Sequence, residues 1–283
     1  MKIGVTGATG QLGRIVIEKL KEKIAADNIV ALVRTPEKAA GLGVEARQFD
    51  YDQPGTLAGA LQGIDKLLLI SANEIGKRAA QHIHVIEAAK QAGVGQIVYT
   101  SLLRADTSTL GLAAEHVATE KALSESGVPF VIMRHGWYTE NNLGMLAEVV
   151  KHGVLMGAAG EGKISSAARV DYAEADVAVL TGEGHSGKVY ELAGDETYTM
   201  NDIAAVLSEV SGKPVAYKNL PAADYETALV AAGLPGFVAQ LYAGFHVSTE
   251  KGDLFDDGHL LSKLIGRPTT SLKTVISITL SNK

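Results

Sequence analysis

Short apolar runs alternate with amphipathic segments along the first half of the chain. Six runs have the length and composition of buried strands. They are Lys2–Thr6, Ile29–Val33, Val44–Phe49, Lys66–Ile70, Gln96–Thr100 and Phe130–Met133. Between the first two lies an i, i+3, i+4 apolar stripe of the kind helices carry, formed by Leu12, Ile15, Val16, Leu20 and Ile24. Similar helical patterns fill residues 53–62, 78–92 and 112–126. The alternation predicts a doubly wound α/β parallel sheet with helices on both faces.

A glycine-rich segment joins the first predicted strand to the first predicted helix. Its glycines are spaced Gly7-x-x-Gly10-x-x-Gly13. In such a turn one glycine permits a tight bend, another lets the backbone approach a pyrophosphate, and the third lets the helix pack close to the sheet. Free N–H groups at the helix start then face the phosphates. The segment predicts a Rossmann-type dinucleotide-binding fold, and its spacing resembles that of the extended and atypical short-chain dehydrogenase/reductase superfamily.

The strand–helix rhythm weakens after Arg134. One more strand is predicted near Lys188–Leu192, and a helix starts at Thr199 with Asp202 three residues later. Leu272–Leu280 predicts a final helix, and the other segments of this half have helical patterns.

These patterns predict two parts. Residues 1–134 are expected to form the dinucleotide-binding Rossmann domain. Residues 135–283 are expected to form a smaller, mostly helical substrate-binding part that packs on it, with some segments returning to the Rossmann sheet. The chain has only seven prolines and no Ser/Gly-rich linker, which favours two parts packed as one unit.

The composition and net charge of the chain exclude several kinds of partner and reactive site. The 283-residue chain has a net charge of −6 and no block of like charges, so neither a nucleic-acid partner nor a membrane surface is expected. It contains no cysteine, which excludes thiolate nucleophiles, iron–sulfur clusters and Cys-type zinc sites. No signal-peptide pattern and no apolar run of the roughly 18 residues a membrane helix needs is present. We therefore expect a cytoplasmic protein.

The end of the second predicted strand distinguishes NAD from NADP. An acidic residue there would bind the ribose hydroxyls and repel a 2′-phosphate. This strand ends instead in Val33-Arg34-Thr35, and Lys38 follows one turn later. A guanidinium can bind a phosphate through two parallel N–H bonds. We therefore expect NADPH as the cofactor; the alternative is that Arg34 is an ordinary surface arginine.

The usual acid of short-chain dehydrogenases is missing. These enzymes protonate a carbonyl oxygen with a Tyr-x-x-x-Lys pair after strand five, where this chain has Tyr99-Thr100-Ser101 and then His116-x-x-x-Glu120. His116 and Glu120 share a helical face and could form a proton relay, a metal pair or a structural ion pair. No third ligand accompanies them, so no metal site is predicted. Ketone reduction creates an alkoxide that needs an acid, whereas quinone reduction creates a phenolate-like oxyanion with a pKa of about 10 that water can protonate. The missing tyrosine therefore favours a quinone-like acceptor, or a protein without turnover.

Longer segments resemble the NmrA-like atypical short-chain dehydrogenases. They are Thr6–Gly13, Tyr99–Leu103, His135–Asn141, Gly157–Gly160, Gly187–Gly194 and Leu261–Thr270. The likeness covers nearly the whole chain and points to the quinone-reducing members of the family more than to the triphenylmethane-dye reductases.

The resemblance implies a set of site residues. Those implied for the cofactor are Gly7, Ala8, Thr9, Gly10, Gln11, Leu12, Arg34, Ser71, Ala72, Asn73, His135 and Gly136. Asn141, Trp137 and Tyr138 are implied at the catalytic wall where nicotinamide and quinone meet. Asn141 would help place the substrate, or else cap a helix; the two aromatic rings would stack on a flat substrate, or else pack in the core. The family often has asparagine in place of His135, so this imidazole inherits no role.

The resemblance implies direct hydride transfer from NADPH to a small-molecule quinone without flavin, in a monomer or homodimer. The alternatives are an NADP-binding redox-sensing regulator of the NmrA type without turnover, and a reductase of azo or triphenylmethane dyes.

Two other patterns in the sequence are not predicted to form a metal or ligand site. His82 and His84 point to two faces of a helix, and Asp253, Asp256 and Asp257 lack calcium-loop spacing and predict a solvated loop.

Overall fold

The computed structural model describes residues 1–281 and divides into two compact units. The first consists of Met1–Asp106, Ala114–His135 and Arg169–Glu191. The second consists of Thr107–Ala113, Gly136–Ala168 and the chain from Leu192 onward. The predicted boundary after Arg134 therefore lies one residue from an observed one. The segment that returns to the first unit is Arg169–Glu191, whereas Thr107–Ala113 leaves it.

Within residues 1–281, nine strands form two sheets. They are β1 (Ile3–Thr6), β2 (Ile29–Val33), β3 (Glu45–Gln48), β4 (Lys66–Leu69), β5 (Gln96–Leu102), β6 (Phe130–His135), β7 (Val154–Gly157), β8 (Val189–Leu192) and β9 (Ala216–Asn219). The large sheet has the order β3-β2-β1-β4-β5-β6-β8, and the pairings from β3 to β6 are parallel. The order reverses direction between β1 and β4, which opens a crevice at the carboxyl ends of these strands. The predicted fold class is confirmed.

Eleven α-helices accompany the strands within residues 1–281. They are α1 (Gln11–Lys21), α2 (Pro54–Ala60), α3 (Arg78–Ala92), α4 (Ala113–Ser126), α5 (Leu146–His152), α6 (Arg169–Thr181), α7 (Met200–Ser211), α8 (Ala222–Ala231), α9 (Gly236–Glu250), α10 (Leu260–Ile265) and α11 (Leu272–Ser281). In α1 the predicted stripe is buried at Leu12, Val16 and Leu20, joined by Ile17, while Ile15 is half-buried. None of the helices described is both long and apolar enough to span a membrane.

Two strands of the large sheet are longer than predicted, and one is not buried. Strands β5 and β6 stay paired as far as Leu102 and His135, because buried polar residues continue the ladder where the sequence suggested strand ends. Strand β3 was predicted as a buried strand, and this was wrong. It lies at the edge of the sheet, and Glu45 and Gln48 are exposed.

The second unit contains a small parallel sheet of β7 and β9 that the sequence did not predict. Helix α7 begins as predicted: the Thr199 hydroxyl accepts from the Asp202 N–H, and the Asp202 carboxylate accepts from the Thr199 N–H over 2.8 Å. The predicted solvated loop is partly ordered, because both the N–H and the hydroxyl of Thr109 donate to Asp253.

Candidate active site

The glycine-rich turn between β1 and α1 has the geometry of a phosphate cradle. Gly7 has a φ of +58°, which favours glycine, and the Gly10 N–H donates to the Gly7 carbonyl over 2.8 Å. Gly10 also precedes the first residue of α1, and no side chain caps this helix end. A Cβ on Gly13 would lie 2.4 Å from the Gly7 oxygen and 2.7 Å from Ala8 Cα, so Gly13 permits the close approach of helix and turn. The positive end of the helix dipole is thus open to an anion.

A cavity of about 620 Å³ lies beside this turn, where β1, β2, β3 and β4 end. The predicted cofactor residues that line it are Gly7, Thr9, Gly10, Arg34, Ser71, Ala72 and Asn73. Those that do not line it are Ala8, Gln11, Leu12, His135 and Gly136. Ala8 and Leu12 are buried, so their side chains pack in the interior. Thr35, Lys38, Phe49 and Tyr51 also line the cavity, so its wall includes both polar groups and two aromatic rings.

Arg34 extends from the end of β2 with its side chain 70% exposed. Its Nη1 lies 3.7 Å from Glu74 Oε1, and Lys38 lines the same cavity. An exposed ion pair of this kind contributes about 0–1 kcal/mol, so a phosphate could displace Glu74 at small cost.

Three buried side chains hold the segment after β4 through its backbone N–H groups, and sequence reasoning missed all three. The bonds run from Ile70 N to Thr6 Oγ1 (2.9 Å), from Ser71 N to Thr100 Oγ1 (2.9 Å) and from Ala72 N to His82 Nε2 (2.8 Å). Burial lowers the pKa of His82 to about 3, so its ring is neutral and Nε2 can accept. The sequence analysis considered His82 only as a metal ligand. In the structure its neutral ring instead accepts from the N–H of Ala72, a residue of the cavity wall.

Tyr99 does not face the cavity. It is fully buried, and its hydroxyl lies 2.7 Å from Nδ1 of His116. Burial raises the pKa of Tyr99 and lowers that of His116 to about 3, so both groups are neutral.

Glu120 belongs to a different cluster, so the predicted pairing of His116 with Glu120 was wrong. Arg134 donates to both Glu120 oxygens over 2.9 and 2.7 Å, and Ser101 donates to Glu120 over 2.6 Å. These bonds raise the pKa of Arg134. Helical spacing put His116 and Glu120 on one face, but His116 bonds to Tyr99 whereas Glu120 bonds to Arg134 and Ser101. Within residues 1–281, no three His, Asp or Glu side chains are grouped so as to hold a metal ion.

His135 was predicted at the cofactor, but its ring is 3% exposed and lies in the interior of the first unit. Its Nε2 is 3.0 Å from Asp176 Oδ1, and the ring stacks on Tyr172 with centroids 4.6 Å apart. Burial raises the pKa of Asp176, whose other oxygen accepts no bond in the described structure. These contacts give His135 a structural position.

The second unit has its own cavity of about 400 Å³ with a mostly apolar lining. Trp137 lines it and packs edge-on against Phe245, whose ring centroid is 5.1 Å away, and Tyr242 lies beside Phe245. Asn141 and Asn142 supply amide groups to the same lining. A cavity of this size with aromatic walls and few polar groups suits a flat organic ligand.

Of the other two predicted catalytic residues, Asn141 lines this cavity and Tyr138 does not. The backbone of Tyr138 forms a bridge with Ala167. Asn141 lies within a short 3₁₀ turn, Thr139–Asn142. The residues that precede this turn and α5 are Tyr138 and Met145, so Asn141 caps neither.

A histidine and a tyrosine form a further polar pair in this cavity. The Ala158 N–H donates to His246 Nδ1 over 3.1 Å, and His246 Nε2 lies 3.3 Å from the Tyr225 oxygen. Burial lowers the pKa of His246 to about 4, so the ring is neutral and carries its proton on Nε2. The Tyr225 oxygen therefore accepts from His246, and the Tyr225 proton can be donated elsewhere. No sequence motif marked this pair.

A family model described as NAD(P)H-binding matches residues 7–183. An NmrA-like family domain-containing oxidoreductase of Aspergillus flavus is 32% identical over 225 residues, covering 76% of this chain and 73% of that protein. The chain belongs to this NAD(P)H-binding, NmrA-like family. The predicted family is thereby confirmed.

Within this family the chain is similar to quinone oxidoreductase 2 of Escherichia coli K12, with 54% identity over 278 residues and 97% of each chain covered. The crystal structure of the E. coli NADPH-dependent quinone oxidoreductase QOR2 complexed with NADPH matches with a TM-score of 0.96 and 53% identity, covering 98% of this chain and 99% of that chain. Triphenylmethane reductase of Citrobacter sp. complexed with NADP(H) matches with a TM-score of 0.95 and 38% identity, covering 98% and 100%.

Proposed function

We propose that this protein reduces quinones to hydroquinones with NADPH. The observation that carries the proposal is the near-full-length likeness to E. coli quinone oxidoreductase 2 in sequence and fold. The apolar cavity of the second unit supports a flat acceptor, and the chain has no Tyr-x-x-x-Lys pair after strand five to act as the usual acid of alcohol–ketone chemistry.

NADPH is proposed to bind at the 620 Å³ cavity of the first unit. The turn from Gly7 to Gly10 and the open end of α1 would hold the diphosphate. Arg34, with Lys38 beside it, would bind the 2′-phosphate. Ser71–Asn73 would lie along the ribose, and the bonds from their N–H groups to Thr100 and His82 keep this wall fixed.

The quinone is proposed to bind in the 400 Å³ cavity of the second unit. Trp137 would contact the flat ring, and Asn141 would donate to a carbonyl oxygen without itself ionising. When bound, NADPH supplies a hydride from its nicotinamide C4, and the quinone takes up that hydride and one proton to become a hydroquinone. The side chains supply position, water exclusion and hydrogen bonds, because the product oxyanion is a weak base that water can protonate. The expected cytoplasmic location and the monomeric or homodimeric state stay predictions.

An assay of NADPH oxidation tests the proposal. We expect steady turnover with 1,4-naphthoquinone and related quinones, faster than with triphenylmethane or azo dyes. We also expect no flavin absorbance at about 450 nm in the purified protein and no stimulation by added flavin. NADPH binding without turnover of any acceptor would support the redox-sensor alternative, and faster turnover of dyes would support the dye-reductase alternative.

Asn141→Ala tests the proposed substrate contact. Loss of one donor to a developing oxyanion costs about 2.7–4 kcal/mol of barrier elsewhere, and quinone oxygens carry less charge, so we expect a tenfold to hundredfold loss of kcat/KM. NADPH affinity should change less than about twofold, because Asn141 is not among the residues that line the cofactor cavity. A lower melting temperature with normal turnover per folded molecule would remove Asn141 from the site.

A further inference from the structure

The Asn142 amide has one orientation that its surroundings permit. The indole Nε1–H of Trp137 donates to Asn142 Oδ1 over 3.1 Å. An indole nitrogen can only donate, so a flipped amide would place two donors against each other. The bond therefore fixes Oδ1 toward Trp137 and directs Nδ2 away from it.

The Nδ2 group of Asn142 has no hydrogen-bond partner. It is buried, and within residues 1–281 no acceptor lies within bonding distance of it. Buried donors without partners are rare because they lose their bonds to water and gain none in return. Asn142 also lines the 400 Å³ cavity together with Trp137 and Phe245. An unpaired donor beside an aromatic-walled cavity is satisfied when a ligand brings an acceptor.

We propose that Asn142 Nδ2 donates a hydrogen bond to a carbonyl oxygen of the bound substrate and selects acceptors that carry such an oxygen. This inference rests on the proposed quinone reduction and adds a residue to it. An uncharged carbonyl oxygen fits because the amide offers N–H groups and no positive charge. A triphenylmethane dye, which has no carbonyl group, would leave Nδ2 unpaired.

Asn142 and Asn141 are therefore expected to act differently. Asn141 is exposed on the 3₁₀ turn, whereas Asn142 is half-buried and oriented by Trp137. Because the indole fixes the amide before substrate arrives, the donor is pre-organised and little side-chain freedom is lost on binding.

The matched test uses Asn142→Asp at pH 8. The carboxylate keeps an acceptor for Trp137 Nε1 and the size of the side chain, but it replaces the N–H donors with an anionic oxygen. Asn142→Leu removes donor and acceptor together. Asn28→Asp is the charge control, because Asn28 lies in the first unit and lines neither cavity. Circular dichroism and NADPH affinity check the fold of each variant.

Binding is measured with two probes, 1,4-naphthoquinone and naphthalene, on protein saturated with NADP⁺. Trp137 is the only tryptophan of the chain and lines the cavity, so its fluorescence reports occupancy. We expect the preference for naphthoquinone over naphthalene to fall at least about fivefold in Asn142→Asp and in Asn142→Leu. Naphthalene affinity and the Asn28→Asp control should change less than about twofold. In turnover, kcat/KM for naphthoquinone should fall by about tenfold in Asn142→Asp, while any rate on a triphenylmethane dye is retained.

The results separate this inference from the proposed function. An unchanged naphthoquinone preference in both folded Asn142 variants would overturn the role of Asn142, even if the wild type turns over quinones. A lost preference in protein that oxidises no NADPH with any quinone would support the donor role and overturn the proposed function.

Discussion

Replacing Arg34 should weaken the binding of NADPH much more than the binding of NADH. The two cofactors differ by the 2′-phosphate, and Arg34 is the guanidinium at the end of β2 that lines the cofactor cavity. In Arg34→Ala we expect the Kd for NADPH to rise while the Kd for NADH changes less than about twofold.

The structure sets the size of this effect. A hydrogen bond between charged groups contributes about 1.5–3 kcal/mol, which corresponds to tenfold to hundredfold in Kd. The Arg34 side chain is 70% exposed, so solvent screening places the loss at the lower end, at about tenfold to thirtyfold. The contact with Glu74 at 3.7 Å works in the opposite direction, because the carboxylate competes with the phosphate. Glu74→Gln should therefore tighten NADPH binding by about twofold to fivefold.

The assay is a fluorescence titration of both cofactors at low and moderate salt. Lys38→Ala is the matched comparison, because Lys38 lines the same cavity and its replacement removes the same charge. Its ammonium group lacks the planar, bidentate geometry of a guanidinium. We therefore expect Lys38→Ala to lose less NADPH affinity than Arg34→Ala, and this loss to depend more strongly on salt. Equal losses for NADPH and NADH in Arg34→Ala would refute the 2′-phosphate contact.

Two further predictions concern the loop and the buried imidazoles. Gly13→Ala should lower the free energy of unfolding in urea by about 1–3 kcal/mol, because its Cβ would lie 2.4 Å from the Gly7 backbone oxygen. Gly10→Ala, whose Cβ meets only the Gly7 oxygen at 3.1 Å, should keep its stability but bind NADPH more weakly; equal melting temperatures of the two variants would contradict this. His82 and His116 have pKa values lowered from 6.5 to about 3 and His246 to about 4, so the unfolded chain binds protons that the folded chain does not. The free energy of unfolding should therefore be greatest above pH 6.5 and should decrease as the pH falls toward these folded-state pKa values of about 3 to 4. At pH 5.5 it should be about 4 kcal/mol lower than at pH 7.5, and a flat profile would contradict the neutral assignment.

Local patterns were enough to predict much of the first unit and one helix start in the second. Strand runs, the glycine spacing and the helix start at Thr199 each depend on neighbours within a few residues, and the structure shows all three. The small sheet was not predictable in this way. Its pairing joins Val154 to Ala216, far apart in sequence, through two short strands among helical patterns. Such pairings depend on tertiary packing more than on intrinsic propensity.

The residues of the two cavities were less predictable for the same reason. Asn141 and Asn142 are chemically identical neighbours, and only the turn geometry brings the second amide to Trp137. No motif marked these bonds of His82 and His246, because their backbone N–H donors lie 10 and 88 residues away in the sequence. Arg34, Gly7 and Gly10 could be predicted to lie together because a strand end followed by a helix is a local feature, and all three line the first cavity.

Tyr99, on β5, is poorly placed to replace the missing tyrosine acid. Its phenol is buried against His116, and burial raises its pKa, so donating a proton would leave a phenolate in a low-dielectric interior. Tyr225 and Tyr242 line the second cavity, and burial raises the pKa of Tyr225 to about 12. Burial thus makes Tyr99 and Tyr225 weaker acids than an exposed tyrosine. A hydroquinone oxyanion needs a hydrogen bond before it needs a proton, and amides such as Asn142 supply that without changing charge. A quinone acceptor is therefore well matched to a cavity whose polar groups are neutral hydrogen-bond donors.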